Sequence, residues 1–207
     1  MAFSGWSADA LEFYEGLEAD NSKTYWTAHK AVYDRHVLAP MRELVEELAA
    51  EFGEPRIFRP YRDLRFSADK TPYKTNIGGM VGRTNYVSLA ADGLAAGNGF
   101  YQMDQRQLAR YRAAVDSHRT GEELTEIIGK LTTDGIEVRG TSTLKTAPRG
   151  YPADHPRIDL LRHKGLYAWR HWPAEQWLET TQAKEQILAF YRTTRGFSSW
   201  LIEHVTS

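Results

Sequence analysis

The chain has 207 residues, of which 42% are hydrophobic and 12% aromatic, with a formal net charge of −1 and no cysteine. That much apolar material can bury a substantial core, which argues against disorder and for a single domain spanning residues 1–207. The missing cysteine excludes disulfides, thiolate zinc sites, iron–sulfur clusters and a cysteine nucleophile, and it fits a reducing compartment.

Near-neutrality hides a segregation of charge. Residues 1–54 carry 4 basic and 11 acidic side chains, residues 55–112 carry 10 and 4, and residues 113–207 carry 12 of each. A field of one sign steers partners of the other, so the middle third is expected to attract anions. The alternative is an acidic helical face packed beside a basic sheet in the same molecule. The opening MAFSGWSADALEF lacks a basic n-region and an apolar h-region. No run approaches the roughly 20 apolar residues of a membrane-spanning helix. A soluble cytoplasmic protein without membrane contact is the expectation.

Helical spacing comes first along the chain. Ser7 can cap a helix in which Ala10, Phe13, Tyr14 and Leu17 form one apolar stripe. A break at Asp20-Asn21-Ser22 precedes a second helix with Tyr25, Trp26, His29 and Tyr33 on one side. Pro40 either starts a third helix or kinks the second. Met41, Leu44, Val45, Leu48 and Phe52 repeat at helical spacing until Gly53 and Pro55.

From Arg56 to about Met103 the pattern changes to strands. Ile57 to Phe66 alternates, Thr75 to Val81 is β-compatible, and Tyr86 to Ala90 leads into the Asp92-Gly93 turn. Leu94 to Met103 returns, with Gly97 and Gly99 marking a bulge or a close backbone approach. The connections are too short for helical crossovers, so an antiparallel meander is predicted.

Helices then resume. Asp104 can cap a helix carrying Leu108, Tyr111, Arg112 and Val115, and another runs from Gly121 through Leu124, Ile127, Ile128 and Leu131. Gly135 to Val138 reads as a short strand, Asp154-His155-Pro156 opens a short helix ending at Gly165, and Leu166 to Trp172 alternates as a strand. Pro173 is expected to start the last helical region, anchored by Trp177, Ile187, Leu188, Tyr191, Trp200 and Leu201. The order predicts an α+β fold: one antiparallel sheet, from about residues 56–103 plus later short strands, covered by N- and C-terminal helices.

Core-building does not explain the stretch FRPYRDLRFSADKTPYKT at 58–75. It places Arg59, Arg62, Arg65, Lys70 and Lys74 among Phe58, Tyr61, Phe66 and Tyr73, opposed only by Asp63 and Asp69. If it is extended, Arg59, Tyr61, Asp63 and Arg65 share one face, and Arg62 falls among Phe58, Pro60, Leu64 and Phe66 on the other. A guanidinium there needs a carboxylate, carbonyls or a bound anion. Arginine forks grip carboxylate or phosphate oxygens, and lysine adds a mobile charge. Tyr61 and Tyr73 can donate hydrogen bonds or stack on a base or sugar. Asp63 or Asp69 could act as a general base with a raised pKa, or could pair with an arginine and cap a turn.

The same string resembles the signature of a bacterial family of conserved hypothetical proteins, a domain of unknown function. FYEGLEADNSKTYWTAHKAVYD is similar to that family's opening helices, DGLAAGNGFY to its central hairpin and DHPRIDLLRHKGL to its C-terminal half. The likeness spans nearly the whole chain. One departure is Asp20-Asn21, where the family pattern tends to show Asn-Asn. The resemblance implies one α+β domain and carries no activity with it.

Other signals are weaker. Gly78-Gly79-Met80-Val81-Gly82 lacks P-loop and dinucleotide spacings and reads as a flexible sheet corner. The seven histidines, among them His155, His163 and His171, show no compact metal-ligand pattern, and His155 reads as a helix cap. No cofactor is expected. Three functions stay open: a small phosphorylated or carboxylated ligand held by the cations, a scaffold of internal salt bridges, or a single-stranded nucleic-acid module. The first is favoured, with catalysis and oligomeric state left open.

Overall fold

A computed structural model describes residues 2–63, 65 and 70–206. Six strands form one antiparallel sheet in the order β1-β2-β3-β4-β6-β5, flanked by helices. They are β1 (Pro55–Ile57), β2 (Asn76–Val81), β3 (Asn85–Ala90), β4 (Gly93–Phe100), β5 (Glu137–Thr141) and β6 (Gly165–Pro173). The first four make the meander that the short connections predict. No helix among the described residues is long and apolar enough to cross a membrane.

The chain divides into two compact units, Met1–Ala96 with His171–Phe190, and Gly97–Arg170 with Tyr191–Ser207. In the first, α1 (Ala8–Ala19) buries the expected stripe of Ala10, Phe13, Tyr14 and Leu17. Helix α2 (Lys23–Val32) starts at Ser22, whose hydroxyl accepts the Tyr25 N–H, and buries Trp26. It runs into a π-helical turn at Tyr33–Leu38 and then into α3 (Ala39–Phe52). Of the two expected readings the structure has the first: Pro40 sits in the first turn of α3 and so starts the third helix, just after the π turn. A proline offers no N–H to the carbonyl four residues back, here His36's, and a widened turn is where the ladder can absorb that loss. Met41, Leu44, Val45 and Leu48 of α3 are buried, and α3 packs on β1 and β2. Each such side chain contributes about 1.5–3 kcal/mol of burial.

The Gly78–Gly82 run is not a sheet corner along its length. Gly78 and Gly79 lie inside β2, paired with Ser88 and Val87 of β3, and only Gly82 turns, at φ 64°. A Cβ on Gly82 would fall 2.0 Å from the Phe52 carbonyl oxygen, so the turn closes against the end of α3.

In the second unit, Asp104 caps α4 (Gln105–Asp116) through a reciprocal capping box with Gln107. Helix α5 (His118–Thr133) begins three residues before the expected Gly121. Arg157 explains the short break between them: its guanidinium donates to the Val115, Asp116 and Ser117 carbonyls at the end of α4. The short α6 (Ile158–Arg162) follows, and His155 Nδ1 accepts the Arg157 N–H at 3.0 Å just before it. Strands β5 and β6 pair from Glu137↔Trp169 to Thr141↔Gly165. In the part of the first unit at His171–Phe190, Pro173 closes β6 rather than opening a helix, and a 3₁₀ turn at Gln176–Glu179 precedes α7 (Gln182–Thr193), whereas α8 (Arg195–Thr206) belongs to the second. In α8, Trp200 Nε1 donates to the Thr120 carbonyl at 3.0 Å.

Candidate functional site

The basic segment begins as a continuation of the β1–β2 hairpin. Beyond Ile57, Phe58 N–H donates to the Gly78 carbonyl, Lys74 N–H to Pro60 and Arg62 N–H to Pro72, and Tyr61 bridges Tyr73 in antiparallel fashion. The proline at 60 offers no N–H, and the ribbon is irregular there, as expected at an edge. Exposure still alternates: Arg59, Tyr61, Asp63 and Arg65 are exposed, whereas Phe58, Pro60 and Arg62 are half-buried. Leu64, Phe66 and Asp69 lie outside the described residues.

An asparagine from the α1–α2 break fixes this ribbon. Asn21 Nδ2 donates to the Tyr73 carbonyl at 3.1 Å and its Oδ1 accepts the Tyr73 N–H at 3.0 Å. The Tyr73 ring stacks on Trp26, centroids 4.4 Å apart at 8°, and the Tyr61 ring lies 5.6 Å from Tyr73 and 6.0 Å from Trp26. Tyr73 is buried, with its pKa raised by burial and then by Tyr61, whereas Tyr61 is 48% exposed. Of the two tyrosines, Tyr61 is therefore the one that can present a ring to a partner.

The cations separate into two groups. Arg65 forks onto Asp63 through Nε at 2.9 Å and Nη2 at 2.6 Å. That pairing holds the Asp63 carboxyl below its ordinary pKa, the direction opposite to the one a general base at neutral pH draws on. Arg62 and Lys70 are engaged as well. Lys74 is different, whereas the charge of Arg59 also acts on Asp63 and helps to lower its pKa. The Lys74 ammonium is half-buried 5.5 Å over the Phe58 ring, and its pKa is lowered by burial and then by the charge of Arg59. Arg56, which the sequence reading left out of the cluster, places its guanidinium 5.9 Å from the same ring. Phe58 in turn lies 6.3 Å from Tyr86, whose hydroxyl accepts from Asn76 Nδ2 at 3.4 Å. A Cβ on Gly78 would come within 2.7 Å of that hydroxyl, so the glycine clears the strand for Tyr86.

The result is two aromatic patches on one ribbon: the Phe58 and Tyr86 rings with the cations of Arg56 and Lys74 over Phe58, and the exposed Tyr61 ring beside the Trp26–Tyr73 stack that Asn21 fixes. The helical period marked Trp26 only as core, and nothing local marked Asn21 as more than a helix break. Among the described residues no group of three His, Asp or Glu side chains is placed to hold a metal ion.

No curated protein and no solved structure matches the chain. A family model does, over residues 9–200, and so covers most of both compact units and the whole basic segment. The chain belongs to DUF2461, a family of conserved hypothetical proteins.

Proposed function

We propose that this protein binds a small phosphorylated or carboxylated ligand through Arg59 and Lys74, with Arg56 beside them and Tyr61 available to stack on an attached ring. The observation that carries this reading is geometric: the half-buried Lys74 ammonium and the Arg56 guanidinium lie 5.5 and 5.9 Å from the one Phe58 ring, and burial, then the charge of Arg59, lowers the Lys74 pKa. Two cations held close on an aromatic ribbon repel each other, and an anion between them removes that cost. Asn21 and the Trp26–Tyr73 stack support the reading by fixing the ribbon before a ligand arrives. The proposal takes the protein to be a cytoplasmic bacterial one, consistent with its cysteine-free sequence.

A thermal-shift screen against nucleotides, sugar phosphates, dicarboxylates and short single-stranded oligonucleotides tests it. A ligand at a hundred times its Kd stabilises by about 2.7 kcal/mol, or roughly 5–10 °C in a chain of this size. The shift should vanish in a folded Arg59→Ala/Lys74→Ala protein. Equal stabilisation of wild type and double variant by every anion would overturn the reading. Length-dependent oligonucleotide binding that falls steeply with salt would replace it with a nucleic-acid module.

A further inference from the structure

A cavity lies elsewhere in the first unit, at the π turn. It has a volume of about 260 Å³ and is lined by Ser4, Ser7, Arg35, His36, Pro40 and Glu179, among others. Three separate segments build it: the chain entering α1, the π turn and the 3₁₀ turn. They are fixed to one another. Trp6 N–H donates to the Leu178 carbonyl at 2.8 Å, and Gly5, at φ 111°, lies so close that a Cβ would fall 2.2 Å from the Glu179 carbonyl carbon.

Ser7 occupies the N-cap position of α1, yet its hydroxyl caps nothing. It donates to Asp9 Oδ2 at 3.0 Å and lies 2.8 Å from His36 Nδ1, which is itself 3.2 Å from Asp9 Oδ2. Ser7 and Asp9 thus engage the Nδ1 edge of a residue that lines the cavity. Arg35 and Glu179 add one formal charge of each sign, and neither forms an ion pair among the described residues, with the other or with anything else.

We propose that this cavity binds a small zwitterion the size of an α-amino acid, its carboxylate held by Arg35 and its ammonium by Glu179. A plain anion would meet Arg35 but also Glu179. A plain cation would meet Arg35. A dipolar molecule satisfies both wall charges at once. The volume equals roughly nine waters at about 30 Å³ each, which admits such a molecule. This inference is independent of the Arg59–Lys74 reading and uses none of its residues.

Calorimetric titration with the standard L-amino acids tests it, with acetate, methylammonium and inorganic phosphate as single-charge probes. At least one amino acid should bind at millimolar concentration or better, and the three controls should not. Arg35→Ala and Glu179→Gln should each weaken that binding by about tenfold or more, the loss of one charge-assisted contact. Both side chains are exposed, so these proteins should keep the wild-type circular dichroism and Tm. Arg59→Ala/Lys74→Ala should bind the amino acid as wild type does. Failure of every amino acid to bind, equal binding of acetate or phosphate, or indifference of binding to Arg35→Ala or Glu179→Gln would each overturn the proposal.

Discussion

Asn21 stands to Tyr73 as a neighbouring strand would, donating to its carbonyl at 3.1 Å and accepting from its N–H at 3.0 Å across 52 residues of sequence. A side-chain amide has one donor face and one acceptor, so it can complete both backbone bonds that the short Tyr61–Tyr73 bridge leaves open on the other side. The helix break is thereby tied to the segment that carries the cations.

Replacing Asn21 by Ala leaves both backbone groups of the buried Tyr73 without that partner. Such losses cost about 1–3 kcal/mol, and urea denaturation of Asn21→Ala should show a lower midpoint with an unchanged slope. Asn21→Asp should be no better, because a carboxylate can still accept from the Tyr73 N–H but cannot donate to its carbonyl. A wild-type midpoint in either variant would show that the clamp is not holding the ribbon.

Glu47 of α3 joins the N-terminal segment to α7. Its carboxylate accepts the Phe3 N–H at 2.6 Å and the Lys184 ammonium at 2.6 Å, and these contacts lower its pKa, the Lys184 hydrogen bond first. A carboxyl whose folded pKa lies below its unfolded value stabilises the fold above the unfolded pKa, about 4.3 for glutamate. That contribution is lost as pH falls through the folded pKa. Glu47→Gln should therefore be less stable than wild type near neutral pH, with the gap closing below about pH 4. A gap that is constant with pH would assign the loss to packing instead.

Most of the architecture was legible because it rests on period. The Ala10–Leu17 stripe, the Met41–Leu48 stripe and the Asp92-Gly93 hairpin signal each act through near neighbours, and each appears where expected. The alternation from Phe58 to Asp63 is equally local and is visible in the exposures. Contacts between distant residues were not legible. Asn21 looked like a helix boundary, and Arg56 looked like the start of a strand, because their partners lie far along the chain or across a ring. Pro173 misled for a related reason: a proline suits a helix start, but it also tolerates the end of a strand, and only the sheet decides. The π turn has no sequence signature beyond the proline that follows it.

Gly99 gives a test of close backbone approach on β4. At φ 142° it lies where a Cβ would fall 2.5 Å from the Leu166 carbonyl oxygen and 2.7 Å from the Tyr167 Cα. Both are main-chain atoms of β6 and cannot rotate aside. Gly99→Ala should destabilise by about 1–3 kcal/mol or more, from strain at a backbone angle that side chains avoid and from displaced strand pairing. Gly129→Ala is the control: its Cβ would meet nothing within 4 Å, on the surface of α5, and alanine there should stabilise by up to about 1 kcal/mol.

Lys74 supplies the last test, by linkage between proton and ligand. Burial and the charge of Arg59 lower its folded pKa, so the charged ammonium is disfavoured in the fold relative to the unfolded chain. By sign, that penalty is fully present below the folded pKa and is relieved as pH rises through it. An anion held between Arg59 and Lys74 favours the protonated amine and must raise this pKa. NMR titration of the Lys74 side chain should therefore show an upward shift on adding phosphate. Arg59→Ala should raise the pKa without phosphate, by removing the like charge, and should reduce the further shift that phosphate produces. If Arg59→Ala raises the pKa while phosphate leaves the wild-type value unmoved, the two cations interact but hold no anion. The cluster would then serve the fold alone.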